Sequence, residues 1–581
     1  MREAVDAINE SGSGPGPFAI CVRPGIYNES LKVKRPMFIE KLPFTDGKVI
    51  IVNGSDSPTV EFDIAESWRS HGWARLDNVH LTQAKSKSGN SYPTVLVSAG
   101  EVAITDCQVS NRFGPGVQVS GVESRVALAG GFLEECETYG LVCKNGGQCL
   151  ACGLEREYEQ AGSPERLVDK DMLMNRKILE IQKILDIIEN GGLYQVPPED
   201  RLKVAGLEDL KLRVRALKGG SQLDRVENVG KTLAQTRGEG KKKRANADLA
   251  CLGEDEGDPQ FFMKNKLGGV YVTGVGSYFG MTRAKIWQNE GYGVHVDAGA
   301  TATILGEVNE VGKNGGIGVC CTGGQKAAWH KVMGTQGSEK SGAKYKRSSM
   351  LIYRGVSIKH NAEAGIVVSQ GAEMDVSQCE SSQNNGIGVR VSGASLERDE
   401  PPSCLKMDVC NLLKNRRAGC EVSEGAVLEL QQVRVEANEG IGCHIDGRGD
   451  KDTNCVLANC EIKGNGMAGV HVEDGTATIR EECQVKGNQS TGIHVKGTDS
   501  QATIENSTLV TVNLGCGLVV DGGAKVVMRE GSTIMKSEGE ANCVVQGPGS
   551  TMEAQNIHFE EAGADGVIVR DQGYIDLIKV H

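Results

Sequence analysis

Rings are scarce in this chain. Phe, Trp and Tyr together make up 4% of its 581 residues, and from residue 361 to the end only Phe559 and Tyr574 occur. Sugar sites favour flat apolar platforms, so a carbohydrate site built on rings is not expected in that region. Proline is sparse at 15 residues, and no apolar run is long enough to cross a bilayer as a helix. Positive charge is in deficit: 64 Lys and Arg face 76 Asp and Glu, a net charge of −12. A general nucleic-acid binder is thereby excluded, for it needs a basic footprint. The opening MREAVDAINE lacks the apolar core of a secretory leader, so a cytoplasmic, reducing setting is expected. The 19 cysteines are then expected to be buried thiols, not disulfides. No Cys-x-x-Cys pair recurs at zinc-site spacing, and the nearest cluster, Cys143, Cys149 and Cys152, is assigned to a core. No cofactor is expected.

What the chain has in quantity is glycine, 77 residues. Many stand at regular intervals before an apolar–variable–apolar triplet: Gly116, Gly140, Gly269, Gly293, Gly318, Gly365, Gly388, Gly419, Gly442, Gly469, Gly492, Gly517 and Gly566. With Thr94 and Asn542 standing in at two units, most steps are 22 to 25 residues, with longer ones of 27, 31, 47 and 129. Pairs such as Val294/Val296, Val470/Val472 and Ile493/Val495 give period-two burial, hence a strand with one face inward. A second short strand follows in most units, as in AVLEL at 426–430. Such units escape the size limit of a single core, because each buries its apolar face only against its neighbours.

Asparagine repeats on the same frame, at Asn90, Asn265, Asn289, Asn314, Asn361, Asn384, Asn415, Asn438, Asn465, Asn488 and Asn513. Stacked coils would set these amides about 4.8 Å apart, so each can satisfy the next. The architecture predicted is all-β, a right-handed single-stranded parallel β-helix. Five residues before the ladder, Cys379, Cys410, Cys460 and Cys483 alternate with Val356, Val433 and Thr508, the signature of a small core residue.

Three regions are delimited: 1–153 with an N-terminal cap and first coils, 154–262 as a mainly helical insertion, and 263–581 as the main coils with a basic loop at 322–350. The cap is predicted as a short helix with Ala4, Val5 and Ile8 as its apolar stripe. Within the insertion, Met172, Ile178, Ile181, Ile184, Leu185 and Ile188 keep helical spacing, and Lys241–Arg244 is a candidate nuclear import signal. The basic loop carries Trp329 and His330.

Between the inward residues of each strand lies one outward residue. Along the coils this column runs Val367, Arg390, Glu421, His444, His471, His494, Val519, Val544 and Ile568, and a parallel one holds Asp446, Glu473, Lys496 and Asp521. Three uses compete. His444, His471 and His494 are a candidate metal set with a carboxylate oxygen added. Asp446 and Glu473, about 5 Å apart, match the carboxylate spacing of retaining glycosidases. A solvated ladder without chemistry is the third. Val519, Val544 and Ile568 are apolar on a face expected to be wet, which marks a contact surface.

The coils, with Pro24, Gly25, Tyr27 and Glu29 at the start, resemble the CASH-type (PbH1) repeats of the β-helical F-box only proteins and of Shc-SH2-binding proteins. The resemblance covers most of the chain outside 154–262. It implies partner or substrate binding along the coil surface. Catalytic sets of the polygalacturonases and pectate lyases are missing. The function expected is therefore a non-catalytic scaffold for protein partners, of the ubiquitin-ligase adaptor type, with His444, His471, His494, Val519, Val544 and Ile568 as the binding surface. The alternative is a carbohydrate-active enzyme, a polysaccharide lyase or hydrolase using Asp446 and Glu473. Neither a membrane nor nucleic acid is expected as partner.

Overall fold

Alternation of inward and outward side chains makes every unit of the repeat a nearly closed coil. The computed structural model describes residues 1–11, 18–152, 259–306, 308–327, 344–393, 401–448 and 452–580. The chain divides into two units, Met1–Gly153 with Pro259–His581, and Leu154–Asp258. The first is a right-handed parallel β-solenoid.

Each coil gives one strand to each of three parallel sheets, where the sequence pattern predicted two. In one coil these are Val427–Gln431, Arg434–Glu436 and Cys443–Asp446. The middle strands, 17 in their sheet, are mostly three residues long in the later coils and bury one side chain, as Val435 does. A strand with a single inward residue shows no alternation to read.

Inward positions are closed to water along the coils, as at Val470, Val472, Ile493 and Val495, all fully buried, but in the last coil Val569 is 44% exposed. The third sheet follows a tight corner. The residue before each ladder Asn has left-handed backbone, with φ of 54° at Lys414, 55° at Ala437 and 62° at Gly464. That bend turns the Asn side chain inward. Nδ2 of Asn384 then donates to Oδ1 of Asn415 at 3.0 Å, and Asn415 to Asn438 at 3.0 Å. The same bond runs from Asn265 to Asn289 at 2.9 Å and from Asn488 to Asn513 at 3.0 Å. Asn90 is an exception: it is exposed and stands outside the ladder. The glycine four residues on is required by close approach. A Cβ on Gly388 would lie 2.6 Å from both Gly419 O and Asn415 Nδ2.

The N-terminal helix, Arg2–Glu10, covers the first coil, with Val5 fully buried and Ile8 packed on the core. Ala4 is exposed, so the apolar stripe is narrower than predicted. This is the only α-helix among the described residues. The mainly helical insertion expected over 154–262 is corrected at its C-terminal end, where the described residues form strand instead of helix. Its last residues belong to the solenoid, where Gln260–Met263 pairs in parallel with both Phe132–Glu134 and Ala284–Trp287. The remainder, like Trp329 and His330, lies outside the described residues. The loop at 322–350 begins and ends as an antiparallel hairpin, Gly324–Ala327 with Lys344–Arg347.

Cys107, Cys379, Cys410, Cys460 and Cys483 are buried along the core, and desolvation raises the Cys410 thiol to about 12. Cys143, Cys149 and Cys152 are likewise buried and outside any disulfide.

Candidate functional site

Strand register, not local sequence, assembles the outer face of the third sheet. Arg390 pairs with Glu421, Glu421 with His444, His444 with His471 and His471 with His494, each one coil apart. Asp446, Glu473 and Lys496 align beside them in the same register.

The charges form a connected set. Arg390 Nε donates to Glu421 Oε1 at 3.1 Å, and His444 Nδ1 lies 3.9 Å from the other oxygen of Glu421. The second distance is a close approach, too long for a hydrogen bond. His444 first, then Arg390, holds the Glu421 carboxyl below the usual carboxylate range. Arg448, in the turn after the His444 strand, forks onto Asp446 with bonds of 2.8 and 2.5 Å. It also reaches to 3.8 Å from Glu473, which Lys496 approaches at 4.0 Å. The fork lowers the Asp446 carboxyl.

The imidazoles pile on one another. His471 and His494 stack at 4.8 Å with planes 19° apart, and His444 tilts by 48° at 5.5 Å from His471. Burial, then His494 and His444, pushes the His471 imidazole down to about 4, and burial lowers His494 as well. Nε2 of each of these two rings is buried without a partner. Rings stacked face to face aim their lone pairs side by side, so they do not converge on a metal ion. Among the described residues no group of three or more His, Cys, Asp or Glu is placed to hold one.

A pH effect follows from the neutral stack. The unfolded chain takes up a proton on this histidine near 6.5, the folded one only near 4. The unfolded state therefore binds more protons between those values, and stability falls as pH drops from about 6.5 towards 4. His471→Gln should flatten that part of the curve, as read from urea midpoints measured across the interval.

The register brings Asp446 and Glu473 together as expected. Arg448 changes what they offer: a general acid needs a raised pKa, and the fork onto Asp446 does the reverse. Val519 and Ile568 are half-buried, whereas Val544, expected on the wet face, is 1% exposed. They pack with Cys516 and Ala541 as a small outer cluster, so the exposed strip predicted there is corrected. Arg448 was missed by the sequence reading because it lies in a turn, off both columns.

The chain matches the family described as right handed beta helix region over residues 268–399 and 341–509. No curated protein matches it. Among solved structures it is similar to the A-module of mannuronan C-5 epimerase AlgE6 of Azotobacter vinelandii, at 11% identity and a TM-score of 0.30, over 100% of this chain and 93% of that one. The periplasmic alginate epimerase AlgG is 10% identical, with a TM-score of 0.30, over 84% of this chain and 76% of that one. The PL6 family alginate lyase AlyGC is 10% identical, with a TM-score of 0.22, over 100% and 99%. At these values the likeness is one of fold. The resemblance to F-box only and Shc-SH2-binding proteins is corrected to that coarser statement: a right-handed parallel β-helix. None of these matches is to an F-box or ubiquitin-pathway protein, and the expected non-catalytic scaffold for protein partners is not carried further. No helix among the described residues is long and apolar enough to cross a membrane.

Proposed function

We propose that the outer face of the third sheet takes an extended, uronate-containing polysaccharide and removes the proton on the carbon next to its carboxylate. This is the chemistry of a polysaccharide lyase or epimerase, and it replaces hydrolysis by Asp446 and Glu473. The observation that carries it is the surroundings of His444: Glu421 on the preceding coil, and the Asp446–Arg448 fork on its own strand and turn. Glu421 faces the imidazole on the Nδ1 side at 3.9 Å, which leaves Nε2 as the base. Arg448, whose side chain is 59% exposed, neutralises the substrate carboxylate and favours the enolate that forms as the proton leaves. In elimination the electron pair then expels the glycosidic oxygen, which takes the proton back from His444. In epimerisation a proton from solvent returns to the same carbon on the other face, and His444 releases the one it took to solvent.

Polymer is favoured over a small substrate because the ladder lies on an open face. Two cavities of about 350 and 190 Å³ lie elsewhere, beside Arg112 and Phe113 and beside His80 and Phe132.

A panel of uronate polymers that includes mannuronan, alginate and polygalacturonate tests the reading. Elimination appears as ultraviolet absorbance of the new conjugated double bond, epimerisation as solvent deuterium at the reacting carbon. Arg448→Gln should lower kcat/KM by about 10²-fold at unchanged Tm, since the side chain is exposed. Neither absorbance nor exchange with any uronate polymer would sink the proposal.

A further inference from the structure

The His-x-carboxylate pattern of the ladder occurs once more on the same face, at His295 and Asp297, where the chemistry of the neighbours differs. Direct register connects the two places: His295 pairs with Cys320, Cys320 with Val367, Val367 with Arg390, and Arg390 with Glu421 beside His444. Five coil steps separate His295 from His444, about 24 Å at the strand spacing of roughly 4.8 Å.

Around His295 the face is aromatic. Tyr139 and Tyr271 stack at 4.9 Å, and Tyr292 stacks on His295 at 4.9 Å. All three tyrosines are half-buried, so each keeps part of its surface outward. The Tyr271 hydroxyl donates to Asp297 Oδ2 at 2.9 Å, and His295 Nε2 lies 3.3 Å from the Thr322 hydroxyl. The other polar atoms of the pair, Asp297 Oδ1 and His295 Nδ1, are buried with no partner. Cys320 and Val367, at 4% and 8% exposure, are buried in a small cluster with Ala364, against which Tyr292 and Ile317 pack.

We infer that the cluster of Tyr139, Tyr271, Tyr292, His295 and Asp297 is a second, non-catalytic sugar subsite, which anchors the same polysaccharide about 24 Å from His444. This rests on the reading of the ladder as a polysaccharide site. Sugar fits the chemistry on both counts. Its C–H surface lies against the tyrosines, and its hydroxyls meet the outward parts of the half-buried Asp297 and His295. Between the two places Arg390 and Glu421 form an ion pair, so the face is polar on the side of the ladder and aromatic at the tyrosines.

Uronate oligosaccharides of graded length, titrated into the full chain by calorimetry, test it. Affinity should rise once the oligosaccharide is long enough to span both places. Asp297→Asn keeps the shape but turns an acceptor into a donor, and Tyr292→Ala removes a ring. Each should weaken long oligosaccharides about tenfold, leaving binding and turnover of short ones unchanged, and Tyr292→Trp should restore affinity. Long oligosaccharides bound equally by wild type and variants overturn the subsite while leaving the ladder chemistry standing. Binding that the variants weaken, without turnover of any polymer, supports the subsite and overturns the ladder chemistry. No binding of any glycan overturns both.

Discussion

His444→Asn should lower turnover of the responsive uronate polymer by about 10²–10⁴-fold, the range lost when a positioned general base is removed. Asparagine keeps the polar, half-buried volume but has no lone pair of comparable basicity. The strand itself is held by Cys443 and Ile445, both fully buried, so Tm should not move. KM should change little, because the imidazole acts on the proton and not on the polymer backbone. Glu421→Gln offers the graded control: it removes the charge that faces Nδ1 while Arg390 stays in place, and its loss should be smaller and fall on kcat. Equal activity in wild type and His444→Asn would remove the base from the mechanism.

The second large effect is structural. Asn415→Leu should destabilise the solenoid by about 3 kcal/mol, since buried groups left without partners cost about 1–3 kcal/mol each. Asn415 Oδ1 accepts from both the backbone N–H and the Nδ2 of Asn384, and its own Nδ2 donates to Asn438 and to the Ser381 carbonyl. Leucine fills the volume and answers none of these. Exchange of the Asn384 amide, followed by hydrogen–deuterium exchange, should quicken first, because coils depend on their neighbours. Asn90→Ala, on an exposed residue outside the ladder, should stay within about 0.5 kcal/mol of wild type. Equal denaturation midpoints for Asn415→Leu and wild type would refute the ladder's energetic role.

The outer face was half legible beforehand. His444, His471 and His494 could be placed in one file because their strands recur at short, regular steps, and the register confirms that file. The same file continues to His295 and Tyr271 across a step of 47 residues, from Val367 back to Cys320, and only the stacked coils show what these side chains meet there. The scarcity of aromatics after residue 361 was real. It did not describe the face, because Tyr139, Tyr271 and Tyr292 come from coils before that point. Exposure misled at Val544: an outward position on a strand is not a wet one when Cys516, Ala541 and Ile568 close over it.

Read alone, the amino-acid order determines a parallel solenoid, since a period near 23 residues carrying Gly, Asn and inward apolar pairs satisfies backbone, amides and core only when coils stack. It cannot state which charges meet, because that depends on where a turn such as Arg448 folds back and on neighbours one coil away. The tertiary structure decided that Asp446 is tied by Arg448 and that Glu421 faces His444. The physical reason is one of range: core packing is written into each repeat, whereas protonation and hydrogen bonding at a surface are set by side chains that only stacking brings within a few ångströms of one another.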